Sequence, residues 1–186
     1  MPRSLLETEI KDVLDQIRSN ALQKKNKAVK VGDKTIVIPT PFSSPIDWRD
    51  QVIYFLMVDR FNKPNDNRYP LPFEEKTNAQ LGGTIKGITE QIDYIQELGA
   101  TAIWVSPVLR NTIDSIHGYS IQNFLMVDPR FGSDSDLIEL VDQAHARGMY
   151  IILDIVINHA GDVFEYDGYG HMADNITDDQ PQYPIM

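Results

Sequence analysis

Three apolar runs constrain this chain most: Val52-Ile-Tyr-Phe-Leu-Met-Val58, Thr101-Ala-Ile-Trp-Val105 and Tyr150-Ile-Ile-Leu-Asp-Ile-Val-Ile157. Apart from Asp154 they do not alternate with polar residues, which predicts strands buried on both faces. Helical patterns separate them. Ile85, Ile88, Ile92, Ile95 and Leu98 fall on one face of a helix over 84–98, with Gly99 as its stop. Leu137, Leu140, Val141 and Ala144 form a second stripe, behind a capping-box-like start at Ser133 and Asp136, and Gly148 ends it. Strand, helix, strand, helix, strand predicts a parallel sheet covered by helices. The joints are unequal. Gly99-Ala100 and Gly148-Met149 are tight, whereas 59–83 and 106–132 are long. In α/β barrels the loops after the strands build the active site, and the opposite face needs only short turns. The expected class is therefore α/β: the N-terminal portion of a (β/α)8 TIM barrel, about three strands, preceded by a small helix-plus-hairpin extension.

The extension begins with Leu6, Ile10, Val13, Leu14, Ile17 and Ala21 at helical spacing, and Lys24, Lys25 and Lys27 near the end suit a helix dipole. Val29–Val31 and Thr35–Ile38 around Gly32-Asp33-Lys34 predict a hairpin. Three prolines in Pro39-Thr-Pro-Phe-Ser-Ser-Pro45 predict an irregular linker and a domain boundary. The expected organisation is 1–45 extension and linker, 46–159 three β/α units, and 160–186 the start of an excursion after the third strand. A formal charge of -10 argues against a nucleic-acid partner. With no cysteine, disulfides and thiolate metal sites are excluded. No apolar run approaches the roughly 20 residues of a membrane span, and the N-terminus lacks a secretory pattern, so a cytoplasmic location without membrane contact is expected.

Asp154 is the anomaly in the third run. Side chains alternate along a strand, so Ile152, Asp154, Val156 and Asn158 share one side, and Ile151, Leu153, Ile155 and Ile157 the other. The all-apolar set suits covering helices, which leaves Asp154 on the interior side, with Asn158 at the mouth and His159 just past it. A buried carboxylate needs a cation or several donors. Two readings stand on the residues alone: a structural Asp held by loop amides, or part of a site.

Seven segments together resemble the α-amylase family of glycoside hydrolases: 53–61 (IYFLMVDRF), 81–88 (LGGTIKGI), 98–107 (LGATAIWVSP), 117–120 (HGYS), 127–132 (VDPRFG), 144–148 (AHARG) and 154–159 (DIVINH). Their order carries the likeness; any one alone is weak. The resemblance implies that His159 hydrogen-bonds the sugar beside the scissile bond. It implies that Tyr119 is an aromatic platform under the same ring, with His117 in the substrate-binding turn or only shaping it. Asp154 is implied to stand behind these residues near an arginine of a later strand. Asn158 is implied as a calcium ligand in some relatives, and Asn62, Asn65, Asp66 and Asn67 are oxygen-rich. Thr84 stands where other relatives have Asp after Gly-Gly, which favours a metal-free polar loop there. Ser120 stands where many relatives have Asp. No organic cofactor is implied.

The family chemistry is retaining cleavage of α-glucosidic bonds by two carboxylates about 5 Å apart. The resemblance places these after later strands, so no catalytic residue is expected within 1–186; the nucleophile and acid are expected beyond Met186. Such a three-strand chain is expected to expose dye-binding apolar surface or aggregate, and not to hydrolyse starch. The expected partner is an α-glucan or maltooligosaccharide-like substrate. Two alternatives remain within the resemblance, a transglycosidase or isomerase and a non-catalytic binding protein. A third is an unrelated barrel with a metal at Asp154, Asn158 and His159.

Overall fold

The structure, a computed structural model, describes residues 8–64, 80–112, 115–161 and 163. Helix α1 (Thr8–Leu22) leads into an antiparallel hairpin, β1 (Lys25–Val31) and β2 (Lys34–Thr40). The linker follows, with a short 3-10 turn at Trp48–Asp50. Then come β3 (Ile53–Leu56), α2 (Val58–Phe61), α3 (Ile85–Glu90), α4 (Ile92–Glu97) and β4 (Ala102–Val105). The antiparallel pair β5 (Leu109–Asn111) and β6 (Ile121–Val127) precedes α5 (Asp134–Ala146) and β7 (Tyr150–Leu153).

β3, β4 and β7 form the predicted parallel sheet in that order, with Phe55, Trp104 and Ile152 in register. One face carries Tyr54, Leu56, Ile103, Val105 and Ile151 against Ile88, Ile92, Ile95 and Leu140 of the helices. Ile85, Ile88, Ile95, Ile103 and Leu140 have no exposed surface, and burying each such side chain contributes about 1.5–3 kcal/mol. The opposite face is apolar and open among the described residues: Phe55 (48%) and Trp104 (40%) stand exposed in an edge contact at 5.0 Å. The capping box of α5 forms as expected, Ser133 Oγ accepting from the Asp136 N–H at 3.2 Å and Asp136 Oδ2 from the Ser133 N–H at 2.8 Å.

Several local expectations are corrected. The helix over 84–98 is two helices broken at Gln91, whose φ/ψ of -106/15 leaves the helical region; the apolar stripe runs across the break, so spacing alone does not reveal it. The first strand ends at Leu56, and Val58 opens a helical turn whose N–H donates to Ser106 Oγ at 3.1 Å. Pro39 lies inside β2 opposite Asn26, because a two-stranded ribbon has edges that tolerate a missing donor. The third strand stops at Leu153, since its neighbour β4 ends at Val105 before Ser106-Pro107. Burial still alternates beyond it, but the all-apolar set expected against covering helices is the open one among the described residues: Ile155 (56%) and Ile157 (88%) are exposed and Val156 is buried. Lys25 and Lys27 belong to β1 rather than to the helix end.

The hairpin packs on the outer helix. Val29 and Ile38 cluster with Ala146, Lys27 pairs with Asp142 at 2.5 Å, and Gln143 Nε2 donates to the Lys30 carbonyl at 2.8 Å. Phe42 stacks on His145 at 4.0 Å and meets the edge of Tyr150, and Trp48 tilts against Tyr150 at 5.6 Å. Burial lowers the pKa of His145, and Asp142 opposes this. Since the folded value lies below the ordinary one, about 6.5, the contribution is full above that value and falls as pH drops through it. The denaturation midpoint is expected to decline between pH 7 and 5. In His145→Phe, which keeps a stacked ring without the titrating group, that decline is expected to be shallower.

Candidate functional site

The candidate site lies at the C-terminal end of the parallel strands, where two loops meet. One turn carries His117, Gly118 and Tyr119 between β5 and β6. The other leaves β7 and carries Asp154 to Gly161. The Tyr119 hydroxyl donates to Asp154 Oδ2 at 2.7 Å. His159 Nε2 lies 2.9 Å from the Tyr119 carbonyl, which accepts its proton, so Nδ1 is the remaining ring acceptor of the neutral imidazole. The Gly161 N–H donates to the Ile121 carbonyl at 2.7 Å. A Cβ at Gly161 would stand 2.4 Å from the Ser120 carbonyl oxygen, so the two loops touch through backbone.

His117 braces the turn from within. Its Nδ1 accepts from the Tyr119 N–H at 3.0 Å, which places the proton of the neutral ring on Nε2, and its ring tilts against Tyr119 at 5.6 Å. His117 and Tyr119 are half-buried, and His159 is exposed. The Asp154 bond, then burial and the Asp154 charge, raise the Tyr119 pKa. The phenol therefore remains a donor at neutral pH. Its tip is pinned by a charge-assisted bond, which fixes the plane of the ring.

The structure thus brings together His117, Tyr119, Asp154 and His159, four residues 42 positions apart at the extremes. Asp154 is held by a phenol rather than by loop amides. Asn158 directly precedes His159 and is exposed. Among the described residues no three His, Cys, Asp or Glu side chains gather as a metal site. Of the oxygen-rich loop, Asn62 is buried with its amide donating to the Gly87 carbonyl at 3.1 Å, and Asn65, Asp66 and Asn67 lie outside the described residues.

Asp59 is also buried, but its carboxylate accepts from the Leu81 and Gly82 N–H groups at 3.0 and 3.2 Å and anchors that loop. Sequence reasoning missed Asn111, Asp128 and Arg130. Asn111 and Asp128 are buried and Arg130 half-buried, in one network under the Tyr119 turn. Burial alone would raise the Asp128 carboxyl; the Arg130 guanidinium and the N–H groups of Asn111 and Arg130 outweigh it and hold it below the ordinary value. The available signal is the Val127-Asp-Pro-Arg-Phe-Gly132 segment, which sets a carboxylate and a guanidinium two residues apart. No helix among the described residues is long and apolar enough to cross a membrane.

Several known proteins are similar to this chain. Alpha-amylase mde5 of Schizosaccharomyces pombe is 40% identical over 132 residues, covering 68% of this chain and 25% of that protein. Alpha-amylase 2 of Dictyoglomus thermophilum is 40% identical over 118 residues, 63% of this chain and 20% of that protein. This chain therefore spans a quarter or less of the length of these curated relatives. Among solved structures, the alpha-amylase of Geobacillus thermoleovorans complexed with acarbose is 46% identical, with a TM-score of 0.55 over 61% of this chain and 24% of that one. The Anoxybacillus alpha-amylase is 44% identical with a TM-score of 0.56, over 63% and 26%. The three-stranded sheet is accordingly part of a TIM barrel. The alpha-amylase catalytic-domain model matches residues 55–183, and on that match and this arrangement of strands and loops the chain belongs to the alpha-amylase family of glycoside hydrolases.

Proposed function

We propose that this chain supplies the sugar-holding part of a retaining enzyme that cleaves α-glucosidic bonds, with Tyr119 and His159 receiving one glucose ring. The observation that carries the reading is the pair of bonds made by Tyr119: its phenol to Asp154 and its carbonyl to His159. A pyranose face presents C–H groups that pack on an aromatic ring, and a ring pinned at its hydroxyl loses little entropy on doing so. His159 keeps Nδ1 for a sugar hydroxyl. In this reading Asp154 orients Tyr119 and does not attack. The attacking and proton-donating carboxylates are assigned by the family resemblance to later strands of the barrel, and Asp59 and Asp128 are engaged in local hydrogen bonds away from the Tyr119–His159 pair.

Calorimetric titration with maltooligosaccharide tests this in the 186-residue chain. Binding is expected, weakened about tenfold by Tyr119→Ala, equivalent to the ~1.4 kcal/mol of one ring contact, and no reducing sugar is released from starch. Absence of binding, or affinity indifferent to Tyr119, contradicts the reading.

A further inference from the structure

We propose that Asn111 is a positioning residue that sets the Tyr119 turn against Asp154 and His159. The importance of that turn rests on the sugar-holding reading above; the positioning itself rests on the contacts. Asn111, only 4% exposed, closes β5. Its Oδ1 accepts from the Ser120 N–H at 2.7 Å and from Ser115 Oγ at 3.3 Å, and its Nδ2 donates to the Leu109 carbonyl. Its own N–H donates to Asp128 Oδ2 at 3.0 Å. Asp128, 2% exposed, is gripped by Arg130, which donates from Nε at 2.9 Å and from Nη2 at 2.6 Å. The same Nη2 donates to the Thr112 carbonyl at 3.0 Å, and the Thr112 N–H donates to the Ser120 carbonyl at 3.0 Å.

Both ends of the turn, Thr112 and Ser120, are therefore tied to one buried base. Ser115, whose hydroxyl proton goes to Asn111 Oδ1, sits beside the turn's interior with its Oγ 3.4 Å from His117 Nδ1. The Asn111 side chain accepts on one side and donates on the other, a combination that carboxylate and alanine lack. Tyr119 directly precedes Ser120. Displacing the Ser120 N–H moves the Tyr119 carbonyl and phenol together, away from His159 and Asp154 at once.

The experiment separates positioning from stability. Tyrosine 13Cζ is labelled in the 186-residue chain, and the Tyr119 signal, which reads the phenol hydrogen bond, is assigned by its loss in Tyr119→Phe. Asp154→Ala supplies the position of the unbonded phenol. Asn111→Ala is expected to move the signal toward that position. Asn111→Asp retains an oxygen for the Ser120 N–H but sets a second against the Leu109 carbonyl; it is expected to lower the melting temperature and leave the signal in place. A signal unmoved in Asn111→Ala, or moved alike in both variants, overturns the proposal. Should Asn111→Ala not fold, Ser115→Ala removes one donor to Oδ1; severalfold faster amide exchange at Ser120 is expected, and unchanged exchange overturns the proposal. No sugar enters these measurements. Failure of maltooligosaccharide to bind therefore counts against the functional reading alone, and binding with an unmoved signal counts against Asn111 alone.

Discussion

Gly118→Ala is expected to dislodge the candidate site and to destabilise the chain by several kcal/mol. Two independent costs add. Gly118 has φ +88, which an L side chain rarely adopts, and a Cβ there would lie 2.2 Å from the Pro107 carbonyl oxygen. The first costs about 1–3 kcal/mol and the second, an overpacking against backbone, about as much again. The Pro107 carbonyl belongs to the segment leaving β4, so the clash cannot be relieved by a side-chain rotation. The turn must lift, and with it the Tyr119 bond to Asp154. Denaturant titration measures the stability, and the Tyr119 phenol should titrate closer to its ordinary value as the Asp154 bond is lost. A variant as stable as the parent, with Tyr119 unchanged, would show that the turn is not packed on Pro107.

Ile103→Ala is expected to cost about 2–5 kcal/mol, the range for truncating a fully buried Ile to Ala. Ile103 has no exposed surface and lies in β4, the central strand, in register with Tyr54 on one side and Ile151 on the other. Both neighbouring strands and the covering helices contact the same apolar layer, so the void cannot close by moving one element. Tyr94→Ala, on a residue that is 40% exposed on α4, provides the contrast and is expected to cost much less. Denaturation midpoints of the two variants check the order; a loss at Ile103 no larger than at Tyr94 would place the core elsewhere.

The legible parts of this chain were those fixed by local pattern. The strands around Phe55, Trp104 and Ile152 were readable because both their faces are apolar, and the capping box was readable because Ser133 and Asp136 lie within one helical turn. The β5–β6 pair was not readable: Leu109-Arg-Asn111 is too short to alternate, and its register slips at Leu109, Arg110 and Asn111. Nor were the partners of the site residues. Asp154 meets Tyr119 from 35 positions away and Asn111 meets Asp128 from 17, distances at which spacing carries no signal. The candidates Tyr119, His159 and His117 came from the family resemblance, and the coordinates add the bonds that join them.

The central claim is that Tyr119 and His159 hold one sugar ring together, and the most direct measurement follows both side chains while maltotriose is titrated into the 186-residue chain. Side-chain NMR of labelled tyrosine and histidine is expected to show the Tyr119 ring and His159 Nδ1 shifting along one saturation curve, and Tyr119→Ala is expected to suppress the response at His159. Shifts confined to one of the two residues, or saturation of other aromatic residues with Tyr119 and His159 silent, would contradict it.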